Sequence, residues 1–287
     1  MKLATIELDG RARAAVVVDD EVIDLTEPYG AGLDDVTKLL VMGAEGRALV
    51  ERCMQKSIAR RPCEAVRFRS PIGRIDKLLG VGMNYGCFIE SARQFGMQSP
   101  AHRLWFSRPQ GCVVGPHDPV WMPRHANDLD YEAELAIVIG RRCRYVTKAD
   151  APAVIGGFTI ANDMTLRERA TRSLVLGKSF DTHTPLGPWL VTPDEVGDPH
   201  ALQLSAWVNG ALRQQASTAD MIANCYELLA ELSATCTLNP GDVILTGTPG
   251  GCGMFQRPPE YLAVGDVVRI QIERIGSIEN LLIDEPF

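Results

Sequence analysis

Three carboxylates in two short stretches are suited to hold a divalent ion: Glu132 and Glu134 in DLDYEAELAIVIG (128–140), and Asp163 in GFTIANDMTLRER (157–169). Side chains at i and i+2 of a strand share a face, so Asp130, Glu132 and Glu134 point one way, and Tyr131, Ala133 and Leu135 the other. Carboxylates crowded on one face repel, and a hard cation compensates them. All-oxygen ligation suits Mg²⁺ or Mn²⁺ better than Zn²⁺, which more often takes His or Cys. A solvated acidic edge is the bland alternative for an isolated E-x-E. The apolar run that starts at Leu135 argues against simple exposure, and Asp130 has the further option of capping a turn.

Other stretches have the composition of a binding site. GKSFDTHTPLGP (177–188) carries Lys178 and Asp181 in a Gly- and Pro-rich island. A lysine there pairs a substrate carboxylate or a developing enolate, or else forms a surface pair with Asp181. PGDVILTGTPGGCGM (240–254) presents backbone N–H groups and the Thr248 hydroxyl to an anion, or is merely a tight turn or β-bulge. It matches neither a Walker A nor a dinucleotide fingerprint. Gln214, just past the hairpin signal Asn209-Gly210, either reaches a pocket or faces water. No G-x-S-x-G elbow occurs, and the histidines at 102, 117, 125, 183 and 200 are scattered.

The elements that must position these groups are mostly strands. Lys2–Glu7 and Arg13–Val18 flank Asp9-Gly10 as a hairpin, and 20–25 adds a short strand. Residues 34–54 have helical spacing, with Gly43 and Gly46 expected to break them into two helices. Short apolar strands recur at 77–84, 112–114, 135–139, 156–160, 188–191, 202–208, 242–246 and 266–272, and 85–97 reads as a helix. Thr147-x-x-Asp150 and Thr165-x-x-Glu168 resemble capping arrangements. Ser217-x-x-Asp220 precedes a helix whose apolar stripe runs through Met221, Ile222, Cys225, Leu228, Leu229 and Leu232. The expected class is mainly β with some helices (α+β), divided into a small N-terminal domain (1–70) and a larger domain (71–287) that carries the polar clusters.

Composition narrows the function classes. A chain of 287 residues with 46% hydrophobic and 23% charged residues suits an ordinary globular protein with a sizeable core. Twenty-nine basic against 36 acidic residues give a formal charge of −7, which disfavours nucleic acid and anionic membranes as partners. Eight cysteines without CxxC spacing read as reduced thiols rather than a zinc cluster. The N-terminus reads as strand–turn–strand rather than as an export signal, and apolar runs are too short to span a bilayer. Cytoplasm is the expected location.

Taken in order, GVGMNY (80–85), DYEAELAIVIG (130–140), ANDMTLRE (161–168), GKSFDTHTPLGP, VNGALRQ (208–214), ST-D-MI (217–222) and PGDVILTGTPGGCG (240–253) resemble the fumarylacetoacetate hydrolase family from about Lys77 to Asn280. The resemblance implies a mixed β-roll catalytic domain after a small N-terminal one, a homodimer, and a Mg²⁺ or Mn²⁺ ion held by Glu132, Glu134 and Asp163. It implies catalytic roles for Lys178, for Arg108 where the family often has lysine, and for Glu90. It implies substrate-binding roles for Tyr85, Phe88, Arg167, His183, Gln214 and Thr248.

The implied substrate is a small carboxylated dicarbonyl compound, a 2,4-dioxo acid such as an acylpyruvate, of the kind met in aromatic-compound breakdown. The implied reaction is C–C hydrolysis, with tautomerisation, isomerisation or decarboxylation as alternatives and a non-catalytic metal-binding protein as another.

Within the family the chain resembles an acylpyruvate hydrolase and hydroxymuconate isomerase-like branch, and it departs from the hydrolytic pattern N-Y-x-x-H-x-x-E. Phe88 stands at the histidine and Ser91 at the glutamate, with Glu90 adjacent. Phenylalanine moves no proton, and loss of a general base costs about 10²–10⁴-fold. Glu90 alone, His102 or His183 from elsewhere, or a reaction without activated water would each resolve this. Ala170 stands where some hydrolases carry glutamine.

Overall fold

The computed structural model describes residues 1–26, 32–56, 59–98 and 100–286. Strands dominate and helices are placed between them, the α+β class expected from the sequence. The longest sheet has a central path that begins with the N-terminal strands Arg60–Pro62, Glu21–Asp24, Arg11–Val18 and Lys2–Leu8. It continues through Thr184–Val191, Ile155–Asn162, Ala133–Ile139, Val243–Leu245 and Leu78–Gly82 to Leu104–Arg108. Lys2–Leu8 joins it by antiparallel pairing of Lys2 with Val191 and Leu3 with Leu190. A second sheet runs Ala211–Ser217, Gln203–Val208, Val267–Ile272, Gly276–Asp284 and Val120–Met122.

Ala133–Ile139 is buried at every position, which explains its unbroken apolar sequence. Leu135, Ile137 and Ile139 pack into one core with Phe158 and Ile160. Ala136 and Val138 pack into another with Ala161, Leu186, Val243 and Leu245. The strand therefore alternates as its period of two requires, which puts Glu134 on the Ala136 face. Its antiparallel partner Ile155–Asn162 sets Ala133 opposite Asn162 and Glu134 opposite Ala161. The start of one strand and the end of the other thus coincide, and the Asp163 N–H donates to the Glu132 carbonyl at 2.8 Å.

Three local expectations need correction. Gly43 (φ 58°) does separate Val36–Met42 from Ala44–Gln55, but Gly46 lies inside the second helix, where a Cβ would stand 2.3 Å from the Leu39 carbonyl oxygen. Ser217 and Asp220 do form a capping box, but on a single 3-10 turn, Thr218–Asp220. The α-helix starts later, at Cys225–Thr235, where Asn224 and Glu227 make a second capping box. Thr165 caps nothing: the helix Arg167–Arg172 has no capping side chain at its N-cap, and Asp128 accepts the Glu168 N–H from another loop. Among the described residues no helix is long and apolar enough to cross a membrane.

Candidate active site

Glu132, Glu134 and Asp163 converge where the two central strands meet. They are buried, and one carboxylate oxygen from each lies within 4.8 Å of the others. Backbone contacts fix them: the Glu132 N–H donates to Asn162 Oδ1 at 3.0 Å, and the Gly247 N–H donates to Glu134 Oε2 at 2.7 Å. Gly247 sits at φ 96°, and a Cβ there would lie 2.7 Å from that of Asn84. Only glycine lets this loop approach so closely. Asn84 ties the same region together by donating to the carbonyls of Ala223 (2.9 Å) and Thr246 (2.8 Å).

Lys178, at the end of the helix Leu174–Lys178, is 5% exposed and reaches into this cluster. Its Nζ donates to Glu132 Oε2 (3.0 Å), Thr165 Oγ1 (2.8 Å) and Asp163 Oδ2. Gly177 lets the helix pack this closely, since a Cβ there would stand 2.6 Å from that of Ala170. Arg108 lies behind, donating to Asp163 Oδ1 and, at 2.9 Å, to the His183 carbonyl. Arg167 spans Asp130 Oδ2 (2.8 Å) and Glu132 Oε1 (2.6 Å). Asp130 does not join the metal cluster. It accepts the N–H groups of Gly253 (2.7 Å) and Met254 (3.0 Å), the turn-fixing role open to it from sequence.

The electrostatics separate the three carboxylates. Burial pulls Asp163 upward, but the Lys178 and Arg108 cations outweigh it and hold the acid below its usual range. Burial, followed by repulsion from Asp163 and Glu132, pushes Glu134 well above the usual range. Glu134 has no ion-pair partner among the described residues, and its one hydrogen bond there is to Gly247. Burial also pulls Lys178 down, and the Asp163 and Glu132 charges more than restore it. Four carboxylates, including Asp130, thus face three cations, and Glu134 is left without a cation to hold it ionised. An all-oxygen, electron-rich trio with one uncompensated member fits a hard divalent cation.

A cavity of about 230 Å³ opens over this cluster. Its floor includes the three carboxylates, Lys178, Arg167, Thr165 and Thr248; its walls include Phe88, Met97, Leu104, Phe106 and Met254. Gln214 is buried below the floor and accepts the Ala133 N–H at 3.0 Å. Its Nε2 donates to Thr248 Oγ1 at 2.9 Å, which leaves the threonine proton free for an anion.

The remaining expected residues lie elsewhere. Phe88 is on the wall, edge-on to Phe255 at 5.1 Å. Glu90 is exposed on the opposite face of Gly86–Gln94 and does not line the cavity. Tyr85 is fully buried beside it without lining it. His183 is buried behind Arg108, with Nε2 2.9 Å from the Trp121 carbonyl, and burial lowers its pKa to about 4. His102 is exposed. Sequence reasoning missed Thr165 as a partner of Lys178; its place two residues after Asp163 was the available signal. It also missed Met97, Leu104, Phe106 and Met254, which carry no motif.

A family model described as Fumarylacetoacetate (FAA) hydrolase C-terminal matches residues 77–283. A mitochondrial oxaloacetate tautomerase of Bos taurus is 39% identical over 266 residues, covering 91% of this chain and 84% of that protein. Maleylpyruvate hydrolase from Sphingobium, solved with manganese(II) and pyruvate, superposes with a TM-score of 0.84 at 32% identity, covering 99% of both chains. A 5-carboxymethyl-2-hydroxymuconate delta-isomerase from Mycobacterium smegmatis gives 0.78 at 30% identity, covering 99% of this chain and 100% of that one.

Proposed function

This chain belongs to the fumarylacetoacetate hydrolase family, and we propose that it is a divalent-metal-dependent enzyme that interconverts keto and enol forms of a small 2-oxo acid. The observation that carries this reading is the make-up of the cavity. Among the described lining residues there is no histidine, and no carboxylate outside the trio of Glu132, Glu134 and Asp163. Moving a proton between the enol oxygen and the carbon next to a 2-oxo group requires a stabilised enolate and a group that carries the proton, a role the lining offers to Lys178 Nζ, but no activated water.

Glu132, Glu134 and Asp163 would hold Mg²⁺ or Mn²⁺, which when bound supplies a Lewis acid to a 2-oxo carboxylate. Lys178 holds positive charge at the cavity floor, where negative charge develops on the substrate oxygen. Arg108 and Thr165 position it, Arg108 through Asp163 and Thr165 by direct contact. Gln214 turns the Thr248 hydroxyl toward the substrate carboxylate.

Hydrolysis of a 2,4-dioxo acid is the second reading, favoured by the 99% coverage of the maleylpyruvate hydrolase at a TM-score of 0.84. A product-resolved assay with Mg²⁺ and Mn²⁺ on enolised 2-oxo acids and 2,4-dioxo acids separates the two. We expect metal-dependent loss of enol absorbance, reduced about 10²–10³-fold in kcat by Lys178→Met. Metal-dependent release of pyruvate and a second acid at the same rate would overturn tautomerisation in favour of hydrolysis. The same reading includes a cytoplasmic homodimer and a division into residues 1–70 and 71–287. Fractionation, light scattering and limited proteolysis check these points.

A further inference from the structure

The cavity has a charged end and an uncharged end. Both cations that line it, Lys178 and Arg167, lie at the floor, and both are engaged by Glu132, with Asp163 and Asp130 as their other partners. The rest of the side-chain lining is largely apolar: Phe88 (6% exposed), Leu174, Met254 and, at the rim, Met97 (40% exposed) and Leu104 (41%). The nearest polar lining group there, Thr171, donates its hydroxyl to the Glu168 carbonyl at 2.7 Å. Phe88 is held in place by Phe255, which also touches Phe95 at 5.5 Å.

Charge balance points the same way. With Glu132, Glu134, Asp163 and Asp130 all ionised, the three cations Lys178, Arg167 and Arg108 in and behind the floor leave one negative charge. A divalent ion would turn that into one positive charge, which a single substrate carboxylate neutralises. A second carboxylate on the same substrate would be placed against aromatic, leucine and methionine side chains, with no described lining cation left to pair it. A buried unpaired charge is strongly disfavoured.

Resting on the 2-oxo acid reading above, we propose that this site selects monocarboxylic 2-oxo acids with a short, uncharged, apolar distal group, and that Phe88, Met97, Leu104 and Leu174 set that preference. The named tautomerase and hydrolase relatives handle acids with two carboxylates, so the preference would distinguish this chain from them. The length limit follows from the cavity: 230 Å³ is small beside the roughly 300–1,000 Å³ of pockets for drug-sized ligands.

Titration calorimetry of the full chain, with and without Mn²⁺, tests this using 5-methyl-2-oxohexanoate and 2-oxoglutarate. The pair differs only by a terminal isopropyl group against a carboxylate of nearly the same shape. We expect the isopropyl acid to bind at least about tenfold tighter when Mn²⁺ is present. Leu104→Arg, or Met97→Lys as a second rim variant, should reduce that ratio by about tenfold, because each offers the distal carboxylate a partner. Equal binding, or tighter binding of 2-oxoglutarate, by the unmodified protein would overturn the selectivity; if Mn²⁺ still promotes binding, the function proposed above survives. An unchanged ratio in both rim variants would overturn the role of the wall. If neither acid gains affinity from Mn²⁺, the metal-dependent reading fails and this inference fails with it.

Discussion

At and behind the floor of the cavity Lys178, Arg108 and Arg167 hold Glu132, Asp163 and Asp130 in a network of hydrogen bonds and ion pairs. At its mouth Phe88, Met97, Leu104 and Met254 meet the same space with no charge. The floor grows from the ends of two antiparallel strands, where backbone pairing fixes each carboxylate. The walls come from the helices Gly86–Gln94 and Leu174–Lys178, the edge strand Leu104–Arg108, the 3-10 turn Gly253–Phe255 and the segment around Met97, which share no register. Reaction chemistry therefore sits on rigid elements, and selection on segments that can change sequence without disturbing the strands.

The most damaging way to probe the floor is Asp163→Asn. That substitution removes the charge facing both Lys178 and Arg108, each nearly fully buried. Breaking a buried pair by removing one partner costs about 3–5 kcal/mol. We expect a clearly lower urea midpoint with an unchanged m-value, together with loss of Mn²⁺ binding by calorimetry. A wall substitution such as Leu104→Arg should leave both quantities near their starting values, and equal damage from the two would erase the contrast drawn here.

A smaller effect, with a defined pH window, comes from His183 behind the floor. Burial holds its imidazole at about 4 against an ordinary 6.5, so the folded protein keeps it neutral where the unfolded chain is already protonated. The unfolded state then binds more protons between those values, and stability from this group rises with pH across that window and is flat above it. The difference corresponds to roughly 3 kcal/mol lost on acidification from pH 6.5 to 4. Urea unfolding at several pH values should show a shallower slope in His183→Leu than in the native chain. Identical slopes would remove His183 from the account.

How much of this was legible in the sequence differs between floor and wall for the same physical reason. Strand periodicity puts Glu132 and Glu134 on one face, and the apolar run after them marks burial, so the floor announces itself locally. Thr165 was misread because T-x-x-E is also the form of a capping box, and only the approach of Lys178 from another helix shows which partner wins. The shift of the helix start from Ser217 to Asn224 is a similar case, since two capping boxes follow one another and propensity does not choose between them. Met97 and Leu104 were invisible as site residues. An apolar side chain carries no chemical signature, and its place at a cavity depends on tertiary contacts.

The smallest expected effect bears on the region between floor and wall. Glu90 follows Phe88 by two residues, and on a helix that spacing turns the side chain about 200° away. Phe88 and Ala92 face inward, four residues apart as one helical face allows, and Glu90 faces out. A carboxylate in that position cannot take a proton from a substrate or water held over Lys178 unless the helix Gly86–Gln94 turns. Such a turn would break the Phe88–Phe255 contact at 5.1 Å. Glu90→Gln is therefore expected to leave kcat and KM within about twofold, in keeping with surface substitutions that shift energies by about 0.5 kcal/mol or less. A hundredfold fall in kcat with KM unchanged would mean that the helix does turn during the reaction and that the base resides on it. It would also restore water activation, and with it hydrolysis, to first place.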